Sequence, residues 1–320
     1  LFALGRKLDA CTPDGEHIAQ SFRTTINVAY DRKLYREIKL IMDLVPAMYR
    51  GLVLGERNSY GQNILHQTIV AQDYQTIDNI LYWCKNESMS ALAQPDIEGN
   101  TVLHMAAIQT DVPQALTTLN RLLHAIRISN DPLWLILEQN DLGKSILHKV
   151  IEAQTVPTIN LHPIMQRCST LNQKGESMPL GSLMSLQDSQ GNTALHLAAI
   201  KNHKEQLLTM IKSVELTVRH RIIGLQNGRG NNVLHCAAFH DHLATLSAII
   251  QLIEKPGLLP LLQSKNKQAL SVVACALRFL NRPLWETLEK RLTAGDLYEI
   301  VREQDIDGRT LLHLTWIQKQ

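Results

Sequence analysis

The chain has 320 residues, a formal charge of +2 and only 5% aromatic residues. This balance argues against a nucleic-acid binder, which needs a strong basic excess. The length exceeds the roughly 250–300 residues at which one hydrophobic core stops growing, leaving two domains or a one-dimensional array. Leu, Ile and Ala supply most of the apolar mass, which suits stacked helices better than a β-sandwich. No stretch of about 18 uncharged apolar residues predicts a membrane span. The opening LFALGRKLDAC lacks the charged-then-apolar pattern of a signal peptide. Cys11, Cys84, Cys168, Cys236 and Cys275 are scattered with no CxxC spacing. They read as free thiols of a reducing, cytoplasmic compartment.

One string recurs along the chain. A degenerate first copy starts at Thr12-Pro13-Asp14-Gly15. Fuller copies follow as NSYGQNILH (Gly61-His66), DIEGNTVLHMAA (Gly99-His104), NDLGKSILH (Gly143-His148), DSQGNTALHLAA (Gly191-His196), NGRGNNVLHCAA (Gly230-His235) and DIDGRTLLHL (Gly308-His313). Each glycine supplies the positive φ of a tight turn. An Asp or Asn three residues earlier caps that turn. Thr101, Ser145, Thr193 and Thr310 stand three residues before a histidine and serve as helix N-caps. The 78 residues from His235 to His313 predict one more copy between them. Reading Asn266 as the glycine and Ser271 as the histidine places that copy at Asn266-Ser271.

Helices fill the intervals. Ala pairs such as Ala106-Ala107 and Ala198-Ala199 keep a first helix thin. Leu116, Leu119, Leu122, Leu123 and Ile126 form the apolar stripe of a second helix, and Leu243, Leu246, Ile249, Ile250 and Ile253 repeat its offsets. Short apolar runs precede the fingers at 133–141, 183–190, 221–228, 258–265 and 297–305. Each predicts an extra helical turn between a second helix and the next finger, with a long loop as the alternative. Asp131-Pro132 fits the start of one such turn. Residues 154–183 are rich in Thr, Ser, Asn, Pro and Gly and predict a surface insertion.

The frame [DN]-x-x-G-x-[TSN]-x-L-H, with x-A-A in three copies, resembles the ankyrin repeat. The resemblance covers nearly all of 1–320 and implies an all-α solenoid of seven to eight helix-turn-helix repeats. Asn202 and Asp241 take the place of that family's helix-ending glycine, and the proline before its Leu is missing throughout. The expected activity is protein binding by a monomer, with contacts at finger tips and on the first helix. Matching positions are Ser59, Tyr60, Ile97, Glu98, Ser189, Gln190, Arg229, Ile306 and Asp307 at the tips, and Gln109, Lys201, Phe239 and His240 on first helices. The alternative for Phe239 is inter-repeat core. The long, proline-poor repeats resemble arrays that intracellular bacteria deliver into host cytosol.

The sequence offers no catalytic residue, metal ligand set or cofactor motif. His66, His104, His148, His196, His235 and His313 lie one per repeat, roughly 8–10 Å apart at helix-packing distance. Zinc requires its ligands at about 2 Å from one point. A structural histidine tying finger to helix is expected instead, as in the family. Cys168 near His162 lacks an orienting third group for catalysis. Cys236, Trp83, Trp134 and Trp285 read as packing. The alternatives to a binding module are a substrate-recruiting array of a larger enzyme, with the chain continuing beyond both ends, and an inhibitor that masks a transcription factor.

Overall fold

The computed structural model describes residues 25–26, 28–29, 35–45, 50, 53–84, 90–108, 117–123, 134–153, 164–165, 179–276, 282–305, 307–311 and 313. The degenerate copy at Thr12, Asp131-Pro132, Leu116 and Ile126 lie outside these residues, as do Cys168 and His162.

Each repeat begins with a finger. Asp96 Oδ1 accepts the backbone N–H groups of Glu98 and Asn100 at 2.9 and 2.8 Å. Asp188 does the same for Gln190 and Asn192, and Asn227 for Arg229 and Asn231. These bonds shape the turn, and Gly99, Gly191 and Gly230 close it at φ +76°, +75° and +76°. The next two residues turn extended, and the second caps a first helix. Thr193, at φ −85° and ψ 167°, accepts from the His196 N–H.

The chain divides into two compact units, residues 1–142 and 143–320. The first contains α1 (Tyr35–Leu44), α2 (Ile64–Val70), α3 (Tyr74–Cys84), α4 (Ser90–Ala93), α5 (Val102–Ala107) and α6 (Trp134–Leu137). Within it α2 packs on α3 and on α5. Ile64, Leu65, Ile77, Ile80, Leu103 and Ala106 fill the seam and are fully buried.

The second unit contains α7 (Ile146–Ala153), α8 (Pro179–Ser185), α9 (Ala194–Ile200), α10 (Lys204–Lys212), α11 (Leu216–Gly224), α12 (Val233–Phe239), α13 (Leu243–Leu252), α14 (Lys255–Gln263), α15 (Val272–Ala276), α16 (Arg282–Arg291) and α17 (Ala294–Arg302). First helices stack as α7–α9–α12–α15, and second helices as α10–α13–α16. The stripe Leu243, Leu246, Ile249, Ile250 and Ile253 is buried, as its spacing predicts. The thin Ala-Ala faces bring first helices close; Ala198, Ala199, Ala237 and Ala238 have no exposed surface. Asn202 and Asp241 end their helices at φ +59° and +60°, so each does take the glycine's place.

Three sequence expectations are refined. The extra turns are third helices, α8, α11 and α14, with a rank of their own. Small residues let that rank close. A Cβ on Gly224 would lie 2.9 Å from Leu261. The end of the expected insertion, from Pro179, belongs to α8 rather than to a loop. The degenerate copy sits three residues later in register than Asn266-Ser271 suggests. Asn266 Oδ1 accepts from Gln268 and Leu270, so Asn266 is the capping residue. Ala269 carries the positive φ, +56°. Ser271 is therefore the N-cap, and Ala274, whose N–H reaches Ser271 Oγ, stands where the histidine belongs. The 78-residue interval is thus divided at its midpoint.

Candidate functional site

Three hydrogen-bonded rails join successive fingers. The first is main chain: Ile97 N–H donates to Tyr60 O at 3.1 Å, Asp141 to Glu98 O, Gly228 to Gln190 O and Lys267 to Arg229 O. The second is made of side-chain amides. Asn140 Nδ2 donates to Asn100 Oδ1, Asn227 to Asn192 and Asn266 to Asn231, at 2.8, 2.8 and 2.9 Å.

The third rail is histidine. His196 Nδ1 accepts from the Thr193 N–H at 3.1 Å and lies 2.8 Å from Thr193 Oγ1. Its Nε2 lies 3.0 Å from the Asn231 carbonyl of the next finger. That pattern requires the Nε2–H tautomer, with Nε2 donating forward. His66 reaches Asn100 O, His148 reaches Asn192 O and His235 reaches Leu270 O in the same way. The imidazole therefore ties its own helix start to the following finger. Burial drives the His196 and His235 rings down to about 4, against the partial compensation of the carbonyl bonds. His66 and His148 are lowered for the same reason. His104 and His313 make the Nδ1 contact to Thr101 and Thr310. Among the described residues no group of three His, Cys, Asp or Glu side chains is placed to hold a metal.

Because the rails consume the backbone, the tip side chains project outward. In the first unit Tyr60 and Ile97 are 62% and 64% exposed, and Ser59 and Glu98 are exposed beside them. In the second unit Ser189, Gln190, Arg229 and His240 are exposed, and Phe239 is 39% exposed rather than sealed in the core. Lys201 is exposed, and its Nζ donates to the Glu152 carbonyl at the end of α7, 2.9 Å away. Asp307 pairs with Arg309 at 3.0 Å. Gln109 and Ile306 lie outside the described residues. The roll of tip residues omits Asp141, Leu142, Lys267 and Gln268. Leu142, 52% exposed, follows directly from the frame at Gly143. Lys267 and Gln268 were hidden by the register slip at Asn266.

Among tryptophans, Trp83 is buried as expected. Cys236 and Cys275 are buried thiols outside any disulfide. Burial, with Cys275 nearby, pushes the Cys236 thiol up to about 12.

The repeated helical fold has counterparts among known proteins. Residues 190–220 match the family model of the ankyrin repeat. The solved ankyrin repeat domain of Bcl-3, a member of the IkappaB protein family, superposes with a TM-score of 0.54 at 15% identity. The match covers 81% of this chain and 99% of that one. This is an ankyrin-repeat fold. A search of curated proteins by sequence gives no match. The ankyrin array here differs from a bare helix-pair repeat by its third helices. Among the described residues no helix is long and apolar enough to cross a membrane.

Proposed function

We propose that the ankyrin array binds a protein partner through its finger tips and the adjoining ends of its first helices. The observation that carries this reading is the division of labour in the fingers. Main-chain and buried polar groups are spent on the rails, while Tyr60, Ile97, Arg229, Phe239 and His240 are left projecting. A surface already ordered by its own hydrogen bonds loses little conformational entropy on docking. Aromatic and Arg side chains are the groups that most often dominate such contacts.

The second unit favours an acidic segment with an apolar anchor. Arg229 and Lys267 occupy neighbouring tips, joined by the Lys267 N–H to Arg229 O bond. The exposed Phe239 and His240 rings lie edge to face at 5.8 Å, and the Arg229 charge acts on His240. A reducing, cytoplasmic setting suits the buried, reduced thiols Cys236 and Cys275.

Affinity capture on the wild-type chain, followed by titration of the captured proteins, tests the surface. Arg229→Glu with Phe239→Ala should weaken a direct partner by tenfold or more, an ordinary effect for an anchor pair. Tyr82→Ala, at an exposed position on α3, should leave the same partner unaffected. A partner indifferent to the tip changes and lost with Tyr82→Ala would place binding on the other side of the repeats.

A further inference from the structure

One joint in the second unit lacks its side-chain rails. Ala274 supplies no imidazole, and Leu270 stands where Asn100, Asn192 and Asn231 receive an amide at their fingers. At the preceding joints His196 lies beside the Leu225 backbone and bonds Asn231 O, and His235 lies beside the Ser264 backbone and bonds Leu270 O. The residues at the corresponding places of the next finger are Glu303 and Arg309. These two, with Ala269, Ser271, Ala274, Gln304, Asp305 and Leu311, line a cavity of about 10 Å³, room for about one water.

The Glu303 side chain comes from the later finger, opposite to a repeat histidine, and the nearby Ser271 and Gln263 side chains favour its charged form while burial opposes it. Ser271 is the N-cap, the same kind of group that holds imidazole Nδ1 elsewhere. Oε2 of Glu303 is buried with no hydrogen-bond partner. A buried acceptor without a donor is costly when charged and much less so when it carries a proton.

We propose that Glu303 takes the place of the missing imidazole, and that it does so as the neutral acid, so the last joint closes by taking up a proton. The carboxylate oxygen binds H⁺ from solvent. The resulting O–H becomes a donor on the wall of the cavity that Arg309 also lines, where the Arg309 carbonyl accepts from Asp305 N–H. Ser271 and Gln263 favour the anion, and burial outweighs them. The charges facing this group are few. Lys265 favours the anion, but its Nζ donates to Gln304 O at 2.8 Å. Asp305 lines the same cavity, and Arg309 is paired with Asp307. Burial raises the carboxyl above its usual range. The group's folded pKa lies above its unfolded value, so its contribution is complete at low pH and is lost as pH rises through the raised value. The histidine joints run the other way.

Glu303→Gln in the full chain tests the idea, because the amide keeps an acceptor for Ser271 and always presents a donor. Hydrogen exchange read by mass spectrometry should show peptides over 304–310 exchanging about three- to tenfold more slowly in the variant near pH 7.5, a difference worth about one hydrogen bond. The gap should close near pH 5, and peptides over 188–199 should not change. Equal or faster exchange in the variant near pH 7.5, or a gap that persists unchanged at low pH, overturns the proposal. The wild-type protein gives a second reading through the ¹³C shift of the Glu303 carboxyl. A midpoint above that of ordinary glutamate supports the assignment, and one at or below it sinks it.

Discussion

His196 Nε2 donates to the Asn231 carbonyl at 3.0 Å while its Nδ1 is held by Thr193 at 2.8 Å. One ring thus closes a helix start and a neighbouring finger together. His196→Ala removes both bonds and leaves a cavity, so it should cost about 2–4 kcal/mol in denaturant unfolding. Thr193→Val, which removes the hydroxyl's contacts to Nδ1 and to the His196 N–H but keeps the Thr193 N–H bond to Nδ1, should cost about 1 kcal/mol. Equal losses would mean that the forward bond contributes nothing.

The buried imidazoles make the second unit acid-sensitive. His196 and His235 have folded values of about 4 against 6.5 when unfolded. Between those values the unfolded chain binds more protons, so stability rises with pH across that window. The stability these rings lend is complete above pH 6.5 and is lost as pH falls toward 4. The combined slope should be steep, on the order of 3 kcal/mol per ring over the window. Urea midpoints measured from about pH 4 to 7 check it, and His196→Gln should flatten the curve.

Turn residues should respond in opposite directions to small changes. Gly230 has φ +76°, and a Cβ there would stand 2.7 Å from the Lys267 nitrogen. Gly230→Ala should therefore destabilise by about 2 kcal/mol or more. Ala269 already holds a left-handed conformation with a side chain. Ala269→Gly should stabilise by about 0.5–1 kcal/mol, relief of the Cβ clash exceeding the added chain entropy. Thermal and urea unfolding of the two variants gives both signs.

The Cys236 thiol, buried and pushed up to about 12, should not form thiolate at neutral pH. Cys236 and Cys275 should resist alkylation by iodoacetamide in the folded chain and react together on unfolding. Peptide mapping after a timed pulse reads this. Rapid native labelling of Cys236 would mean that α12 opens far more often than its packing implies.

Much of the repeat was legible because its residues do local work. Asp96, Gly99 and Thr101 act within six residues of one another, so their spacing alone marks the finger and helix start. Phe239 could not be placed by pattern, since core and surface readings use the same position. The Asn rail was invisible for a different reason: Asn227 and Asn192 are 35 residues apart, and nothing in one copy announces its partner in another. The slip at Asn266 had a physical source. Both Gly and Asn tolerate positive φ, but here the asparagine caps the turn and an alanine bears the strained angle. The third helices were half seen, their apolar residues giving the place but not the length.

The repeat histidines His148, His196 and His235 each face the following finger, which gives their joints a polarity. Removing a finger from the earlier side deprives its neighbour of a donor and leaves a carbonyl that water or its own turn satisfies. Removal from the later side strands an imidazole N–H inside a closed seam with nothing to receive it. Fraying should therefore be cheaper from the Ile146 end than through the joint that His235 spans. Ala274 stops the run, since no ring there makes a demand on the finger beyond it.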